Sequence, residues 1–217
     1  MNTFEYALAL PGAYLLGSIS WGYLAGRLRG VDVRQVGSGS TGMTNVLRTL
    51  GPLFAVLVLV GDVGKGALAV LLARLLTGGS PLAEALAATL AVIGHNWPVF
   101  SGFRGGRGIA TGVGGLITLN PLSGIIALTV FALPVALTRY VSLGSVLAVI
   151  SAMITLPLFA AAGWTPWHYT WYVATGGPLI IWQHRGNIHR LLKGKERRLG
   201  QREAVQPASS NDTETHR

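Results

Sequence analysis

Long apolar segments dominate this sequence and restrict it to a helical fold in contact with lipid. Seven of them lie at about 4–26, 52–77, 81–100, 107–119, 121–138, 143–162 and 167–185. A helix needs roughly 20 apolar residues to cross a bilayer, where backbone polar groups must be paired internally. Charged residues make up only 12% of the chain, against about 25% in an ordinary soluble domain. We therefore predict an all-α integral membrane protein with about seven transmembrane helices.

Basic residues are concentrated in alternate connections between these segments. The connections at about 77–81, 119–121 and 163–166 contain neither Lys nor Arg. The others, with the C-terminal region, contain Arg27, Arg29, Arg34, Arg48, Arg104, Arg107 and Arg139, and further Lys and Arg residues between 185 and 198. Because basic loops stay in the cytoplasm, we predict an outside N-terminus and a cytoplasmic C-terminus. The same rule explains the net charge of +9 without a nucleic-acid partner.

The chain is predicted to form one membrane domain over residues 1–199, followed by a polar, disordered cytoplasmic tail over residues 200–217. No basic residue precedes the first apolar segment, so we expect that segment to be retained rather than cleaved as a signal peptide. The sequence contains no cysteine, which excludes disulfides and thiol chemistry. It does not define an oligomeric state, and a monomer is compatible with it.

A glycine- and serine-rich connection follows the first apolar segment. Its glycines and polar residues include Gly37, Ser38, Gly39, Ser40, Gly42, Asn45 and Arg48. Glycines allow several backbone N–H groups to converge on one point, and a helix predicted near residues 44–48 would add the positive end of its dipole. The spacing also matches the dinucleotide-binding fingerprint, but that motif requires a preceding strand, and membrane segments flank it here. We predict an anion-binding loop.

A second connection, between the third and fourth segments, is rich in glycine and arginine. It contains His95, Asn96, Arg104, Gly105, Gly106 and Arg107. Arginine offers a planar fork to phosphate oxygens, and histidine, with an ordinary pKa of about 6.5, can transfer protons. His95 either caps the end of an apolar helix or takes part in catalysis. Since both connections belong to the basic set, we predict a cytoplasmic site for a phosphorylated compound beside lipid.

Polar residues within or next to the apolar segments extend this candidate site. Asp62 and Lys65 are three residues apart, and they form either a structural ion pair or part of a cavity. Ser142 precedes the sixth segment, and His184 and Asn187 are one helical turn apart at the end of the seventh. The histidines lack the spacing of metal ligands and carboxylates are scarce, so we predict neither a metal nor a cofactor.

These motifs together resemble a known family. They are the two glycine-rich loops, Asp62-x-x-Lys65-Gly66, Ser142-Leu143-Gly144-Ser145 and His184-Arg185-x-Asn187-Ile188. In this order, over about residues 10–197, they resemble the bacterial acyl-phosphate:glycerol-3-phosphate acyltransferase family (PlsY). The resemblance implies a seven-helix plasma-membrane enzyme with a cytoplasmic active site. It implies transfer of a fatty acyl group from acyl phosphate to the 1-hydroxyl of sn-glycerol 3-phosphate, giving lysophosphatidic acid and phosphate at the start of phospholipid synthesis.

The resemblance also implies roles for individual residues. We assign catalysis to His95, Arg107, His184 and Asn187. We assign substrate and phosphate binding to Gly37, Ser38, Gly39, Ser40, Gly42, Asn45, Arg48, Arg104, Gly105, Gly106 and Ser142. Arg107 stands where the family usually has Lys, and Ser40 and Met43 replace a usual Asn and Ala. The proton acceptor stays open between His95, His184 and a substrate phosphate.

The predicted partners are glycerol 3-phosphate, a fatty acyl phosphate and membrane lipid. A second hypothesis is a transporter for a phosphorylated metabolite or organic anion, which would also use glycine-broken helices and arginines. A transporter should have polar or basic positions at both membrane faces. The connections on the predicted outer side are short and lack Lys and Arg, which favours the enzyme.

Overall fold

The computed structural model describes residues 3–201, and within them the chain is helical and has no β-strand. The α-helices are α1 (Thr3–Gly17), α2 (Trp21–Leu28), α3 (Met43–Thr49), α4 (Pro52–Leu76), α5 (Pro81–Asn96), α6 (Ile109–Leu119), α7 (Pro121–Thr138), α8 (Val141–Ala161), α9 (Thr170–Gln183) and α10 (Arg185–Leu192). Short 3-10 helices occupy Val99–Ser101 and Trp167–Tyr169. The all-α prediction is confirmed. The domain boundary at residue 199 stays a prediction, and residues 202–217 of the predicted tail lie outside the described residues.

The predicted segments become helices of unequal length. Among the described residues, α4, α7 and α8 are long and apolar enough to cross a membrane, whereas α6 is a shorter apolar helix. Three helices start with proline: α4 at Pro52, α5 at Pro81 and α7 at Pro121. At the first helical position, the missing N–H group of proline costs no helical hydrogen bond. The number of crossings therefore stays a prediction.

The first predicted segment, 4–26, is not one helix. It divides into α1 and α2, with a break between Gly17 and Trp21. The side chain of Lys65, from the middle of α4, donates a hydrogen bond to the carbonyl oxygen of Ile19 at 2.8 Å. A buried ammonium group needs acceptors, and a carbonyl released from helical pairing supplies one.

The outer surface of the bundle is apolar in a way that suits lipid. Leu53, Val60 and Leu75 of α4 are more than 60% exposed, and so are Leu133 and Leu137 of α7. Soluble monomers rarely expose contiguous apolar surface of this extent. The long helices thus present leucine and valine outward, as expected for helices in contact with acyl chains.

Hydrogen bonds show the direction of α1 and identify the two ends of the bundle. Tyr6, near the start of α1, lies 2.7 Å from the hydroxyl of Ser80, which precedes α5. Tyr14, near its end, donates to the carbonyl oxygen of Trp97, just after α5. The start of α1 therefore lies at the end of the bundle that contains the α4–α5 turn, and the second glycine-rich loop lies at the opposite end.

An ion pair joins several helices at the end that contains the α4–α5 turn. Arg74 binds both carboxylate oxygens of Glu84, at 3.0 and 2.7 Å, and the hydroxyl of Tyr169 donates to the same carboxylate at 2.8 Å. Arg74 also donates to the carbonyl oxygen of Thr118. Glu84 is only 2% exposed. This network links α4, α5, the end of α6 and the 3-10 helix Trp167–Tyr169.

Helices α4 and α6 approach each other through glycine. A β-carbon added to Gly66 of α4 would overlap the carbonyl group of Thr111, and one added to Gly114 of α6 would overlap that of Val63. Small residues allow helix backbones to pack closely in membranes. This contact sets the separation of α4 and α6, which together form one wall of the cavity described below.

We predict that Gly66→Ala destabilises the protein and Gly64→Ala does not. A β-carbon at Gly64 meets no atom within 4 Å, so Ala there should be neutral or stabilising by up to about 1 kcal/mol through helix propensity. At Gly66 the helices must separate, at a cost of about 1–3 kcal/mol. Thermal unfolding of both variants in detergent measures the difference. Equal melting temperatures would contradict the close contact.

Candidate active site

A cavity of about 370 Å³ lies at the end of the bundle that contains the glycine-rich loops. Its lining comes from both loops, from several of the long helices, and from α10 and the segment after it. Ten of the residues predicted for the site line it, namely Ser38, Ser40, Gly42, Asn45, Arg48, His95, Arg107, Ser142, His184 and Asn187. Residues up to 149 positions apart in the sequence, Ser38 and Asn187, therefore meet at one place, as the alternating charge pattern predicts.

Two parts of the cavity wall differ in polarity. The polar part contains the residues just named together with Asp62, Arg190, Glu196 and Arg197. The apolar part contains Leu59, Val63, Ile109, Ala110, Val113, Ile117, Leu128, Phe131, Val141 and Ala148. Leu59 and Leu128 line the cavity and are also 36% and 41% exposed, beside the exposed Val60 of α4 and Ile125 of α7. The cavity therefore combines a charged compartment with an apolar one that reaches the lipid-facing side.

The first glycine-rich loop is held in shape by Asn45. The N–H group of Ser38 donates to the side-chain oxygen of Asn45 at 2.9 Å, and the side-chain nitrogen of Asn45 donates to the carbonyl oxygens of Val33 and Val36. Asn45 is 2% exposed. Its amide is thus engaged by the loop itself, so any contribution to anion binding acts through the loop's shape.

The predicted helix after this loop is confirmed as α3, and Arg48 lies in its last turn. Ser40 accepts a hydrogen bond from the N–H group of Gly42 at 3.2 Å, which organises the turn into α3. Gly37 and Gly39 have φ values of 65° and 69°, in the left-handed region that glycine adopts without strain. They turn the loop but are not among the residues that line the cavity in the described part of the chain.

The second loop packs on His95. The N–H group of Gly106 donates to the carbonyl oxygen of His95, and a β-carbon on Gly106 would overlap the imidazole ring. A β-carbon on Gly105 would overlap the same carbonyl oxygen. Arg104 is exposed. Within residues 3–201, these three predicted binding residues do not line the cavity, because the two glycines form the layer behind it and Arg104 points away.

His95 belongs to a buried charged cluster with Asp62 and Lys65. The ammonium nitrogen of Lys65 lies 2.8 Å from Asp62 Oδ1 and 2.9 Å from His95 Nδ1, and Nδ1 lies 3.4 Å from the same carboxylate oxygen. The exposed fractions of the three side chains are 1–4%. The ion pair left open by the sequence is therefore present, and Asp62 and His95 also line the cavity.

The cluster determines which nitrogen of His95 can accept a proton. A protonated Lys65 can only donate, so Nδ1 of His95 acts as the acceptor and the ring proton of the neutral imidazole resides on Nε2. Nδ1 is therefore occupied by Lys65 and is not available to a substrate hydroxyl. This arrangement favours a positioning role for His95, behind Gly106 and next to Arg107.

We predict that Lys65→Met strongly destabilises the protein. Removal of one partner leaves the carboxylate of Asp62 buried without its countercharge, which typically costs about 3–5 kcal/mol. The double variant Asp62→Asn/Lys65→Met should recover part of that loss, because no buried charge remains. Thermal unfolding of both variants in detergent tests this. A single variant as stable as the wild type would show that the pair contributes nothing.

Arginines dominate the polar compartment. Arg48, Arg107, Arg190 and Arg197 all line it, with Glu196 between them. Burial, and then the nearby charge of Arg190, lower the pKa of Arg107 to about 10, so Arg107 remains cationic at neutral pH. Among the described residues, four guanidinium groups and the carboxylates of Asp62 and Glu196 line the cavity. A lining rich in guanidinium groups favours ligands with more than one negative charge.

His184 and Asn187 lie on the wall formed by the last two helices. Nδ1 of His184, the residue after α9, is 2.8 Å from the carbonyl oxygen of Ile180. A carbonyl oxygen only accepts, so Nδ1 carries the proton and Nε2 is the acceptor. Burial lowers the pKa of His184 to about 4. His184 is therefore neutral at physiological pH and offers a lone pair on Nε2.

The sequence analysis misses three charged residues of the site. Glu196 accepts hydrogen bonds from Asn187 at 2.6 Å and Arg190 at 2.7 Å. Burial acts to raise the pKa of Glu196, but these hydrogen bonds outweigh it and the pKa is lowered. Arg190, Glu196 and Arg197 belong to a basic stretch that is equally typical of contact with lipid headgroups. The fold, not the local pattern, brings them to the cavity.

The buried state of His184 predicts how stability depends on pH. Its pKa of about 4 in the folded protein lies below the value of about 6.5 expected for an unfolded chain. Between these values the unfolded state binds more protons, so the free energy of unfolding falls as the pH drops, by about 1–2 kcal/mol at pH 5.

The variant His184→Asn should lack this component of the pH dependence. We expect the melting temperature of the wild type to fall relative to that of His184→Asn between pH 7.5 and pH 5, as measured in detergent. Parallel curves for the two proteins would show that His184 keeps an ordinary pKa.

The fold and the site together define a class of protein. A helical bundle with a lipid-facing apolar surface surrounds a cavity whose polar part is cationic and whose apolar part reaches the lateral surface. Such a cavity suits an anionic amphiphile, a compound with a phosphate or similar group and a hydrocarbon chain.

Comparisons with known proteins agree with this class and specify the family. The family model described as glycerol-3-phosphate acyltransferase matches residues 7–194. A glycerol-3-phosphate acyltransferase of Clostridioides difficile (strain 630) is 44% identical over 208 residues, which cover 93% of this chain and 99% of that protein. One from Shouchella clausii (strain KSM-K16) is 45% identical over 197 residues, 88% of this chain and 94% of that protein. This chain belongs to the glycerol-3-phosphate acyltransferase family.

Solved structures support the same conclusion. Crystal structures of PlsY (YgiH), described as an integral membrane glycerol 3-phosphate acyltransferase, resemble this fold in two forms. The glycerol 3-phosphate form has a TM-score of 0.83 and 39% sequence identity, and covers 90% of this chain and 96% of that one. The lysophosphatidic acid form has a TM-score of 0.80 and 38% identity, over 89% and 94% of the two chains. The predicted family is confirmed.

Proposed function

We propose that this protein transfers a fatty acyl group from acyl phosphate to the 1-hydroxyl of sn-glycerol 3-phosphate, which yields lysophosphatidic acid and phosphate. One observation carries the proposal: a single cavity joins four arginines to an apolar wall that reaches the lateral surface. Two phosphorylated substrates and one hydrocarbon chain match these two compartments. Family membership supports acyl transfer to glycerol 3-phosphate.

The arginines bring two anions together. Phosphates repel each other in solution, and the guanidinium groups of Arg48, Arg107, Arg190 and Arg197 would offset that repulsion within one cavity. The loop shaped by Asn45 adds the hydroxyl of Ser38 and backbone donors. The acyl chain would lie along Val113, Ile117 and the other apolar lining residues. Holding both substrates in one orientation supplies much of the rate enhancement.

The chemical step needs no covalent enzyme intermediate. Acyl phosphate is a mixed anhydride with a good leaving group, so the 1-hydroxyl oxygen attacks the acyl carbonyl carbon directly. The new ester C–O bond forms as the bond between the acyl carbon and the phosphate oxygen breaks. Arginine side chains would stabilise the negative charge that develops on the carbonyl and leaving oxygens. The prediction that no metal or cofactor takes part belongs to this proposal.

His184 would orient the attacking hydroxyl, and phosphate would receive its proton. Nε2 of His184 is an acceptor in the cavity wall, so it can accept a hydrogen bond from the 1-hydroxyl. With a pKa of about 4, its imidazole is too weak a base to retain the proton. The acyl phosphate is dianionic, so its phosphate departs as a more basic oxyanion, takes the proton and is released as hydrogen phosphate. His95 supports the loop that carries Arg107.

We also propose that about seven helical segments cross the bacterial plasma membrane, with the N-terminus outside and the active site facing the cytoplasm. Support comes from the charge pattern, because the loops rich in arginine lie at the cavity end. The start of α1 lies at the other end, next to Ser80. An enzyme in this orientation would receive glycerol 3-phosphate from the cytoplasm and its acyl donor from the membrane.

The transporter hypothesis receives no support from the comparisons. Among the described residues, the cavity lining includes none from the connections at 77–81, 119–121 and 163–166. A transport pathway would need polar positions at that end as well. There, Arg74 and Glu84 instead form a closed ion pair.

The decisive experiment measures phosphate release by the purified protein from palmitoyl phosphate, with and without glycerol 3-phosphate. We expect release that depends on glycerol 3-phosphate, with an equal amount of lysophosphatidic acid formed. A folded protein that shows no turnover with donors of several chain lengths would refute the proposal. Flux of glycerol 3-phosphate into liposomes would then test the transporter.

Variants of three arginines test the cavity as the substrate site. Arg48→Ala and Arg107→Ala should raise KM for glycerol 3-phosphate by about tenfold or more, since each removes a charge-assisted contact. Arg107→Lys should keep substantial activity because the charge remains. The sequence analysis assigns Arg104 to substrate binding, whereas in the structure it is exposed and outside the cavity lining. We therefore expect Arg104→Ala to keep the KM of the wild type.

A further inference from the structure

The segment after α10 contributes Glu196 and Arg197 to the wall of the cavity. We call residues 195–201 the C-terminal strap. It follows Gly194, whose φ of 65° reverses the chain at the end of α10. The strap lies beyond residues 7–194, the part of the chain that the family model matches.

The first half of the strap is attached to α10. The N–H group of Lys195 donates to the carbonyl oxygen of Arg190 at 2.8 Å. The carboxylate of Glu196 accepts hydrogen bonds from Asn187 and from the guanidinium group of Arg190. Asn187 and Arg190 both line the cavity, so this attachment is made at the edge of the site.

The second half of the strap is attached to the start of α8. The N–H group of Leu199 donates to the carbonyl oxygen of Arg139 at 2.7 Å. The guanidinium group of Arg198 lies 5.4 Å from the ring centroid of Tyr140, the residue before α8. Arg198 Nε also lies 3.4 Å from the hydroxyl oxygen of Tyr140. The strap therefore connects α10 to the start of α8.

Arg197 lies between these two attachments, and it lines the cavity. Its neighbour Arg198 is exposed and contacts Tyr140 instead. Adjacent arginines thus project in different directions, one toward the site and one away from it. The strap is held on both sides in the position that presents Arg197 to the cavity.

The charges of the cavity give Arg197 a role. Arg197 shares the cavity lining with Arg48, Arg107 and Arg190. Guanidinium groups that line one compartment can together contact more than one phosphate group. Burial and the charge of Arg190 already lower the pKa of Arg107, and Arg197 adds to this crowding of like charges. A second phosphate would relieve it.

We propose that the C-terminal strap delivers Arg197 as a ligand for a substrate phosphate and closes the charged compartment around the two phosphorylated substrates. The proposal rests on the proposed acyl transfer, and it adds a specificity-determining residue from outside the matched family segment. A strap attached through a few hydrogen bonds can detach from α8 to admit glycerol 3-phosphate and release phosphate.

Kinetics of Arg197→Ala, with Lys195→Ala as the matched control, test this role. Lys195 is a cation of the strap that is exposed and does not line the cavity in the described part of the chain. Arg197→Ala should raise KM for glycerol 3-phosphate or for acyl phosphate by about tenfold, with a smaller change in kcat and an unchanged melting temperature. Arg197→Lys should restore part of the affinity. Lys195→Ala should keep KM values within about twofold of the wild type. Wild-type KM values for both substrates in Arg197→Ala would overturn the proposal.

A second measurement does not depend on turnover. The chain contains no cysteine, so Arg197→Cys and Lys195→Cys each carry a single thiol. Glycerol 3-phosphate should slow alkylation of the thiol at 197 by N-ethylmaleimide and leave the rate at 195 unchanged. If neither glycerol 3-phosphate nor inorganic phosphate changes the alkylation rate of the thiol at 197, the proposal is refuted even when the wild type is active. Protection at 197 without wild-type turnover would instead place the failure in the proposed acyl transfer.

Discussion

A lysine buried in the middle of the bundle holds together the parts on which the site depends. The ammonium group of Lys65 has three acceptors: the carboxylate of Asp62, Nδ1 of His95 and the carbonyl oxygen of Ile19. Removal of an ion from water is costly, and it is tolerated only when partners surround the ion. The demand for partners thus fixes α4 against α5 and against the break between α1 and α2. His95 then supports the glycine-rich backbone that precedes Arg107.

The opposite end of the bundle also contains a buried charged group that needs partners. Glu84 is buried, and it receives both Arg74 and the hydroxyl of Tyr169. These side-chain hydrogen bonds join helical elements, and within residues 3–201 neither Glu84 nor Arg74 lines the cavity. Charged groups therefore stabilise helix packing at this end, whereas at the other end arginines line the cavity, where they can contact ligands. This asymmetry distinguishes an enzyme cavity from a pathway through the bundle.

Residue chemistry allows much of the site to be predicted from sequence, and tertiary structure determines the rest. Arg48, Arg107 and His184 line the cavity, and the sequence draws attention to them because glycine-rich loops and polar groups at the ends of apolar segments are conspicuous. The break between α1 and α2 cannot be predicted, since its partner Lys65 is 46 residues away. Arg197 is hidden in a basic stretch whose composition fits lipid contact equally well, and only the bridge between α10 and α8 places it in the cavity.

Leu59 and Leu128 each belong both to the cavity wall and to the outer surface. For the proposed enzyme, this side opening makes the bilayer itself the reservoir of one substrate. The relevant concentration of acyl donor is then its mole fraction among the lipids, in two dimensions, and not its amount per litre. Diluting the donor with inert lipid or detergent lowers occupancy even at a constant bulk amount. The newly acylated product can return sideways into the same leaflet, so its hydrocarbon chain never has to pass through water.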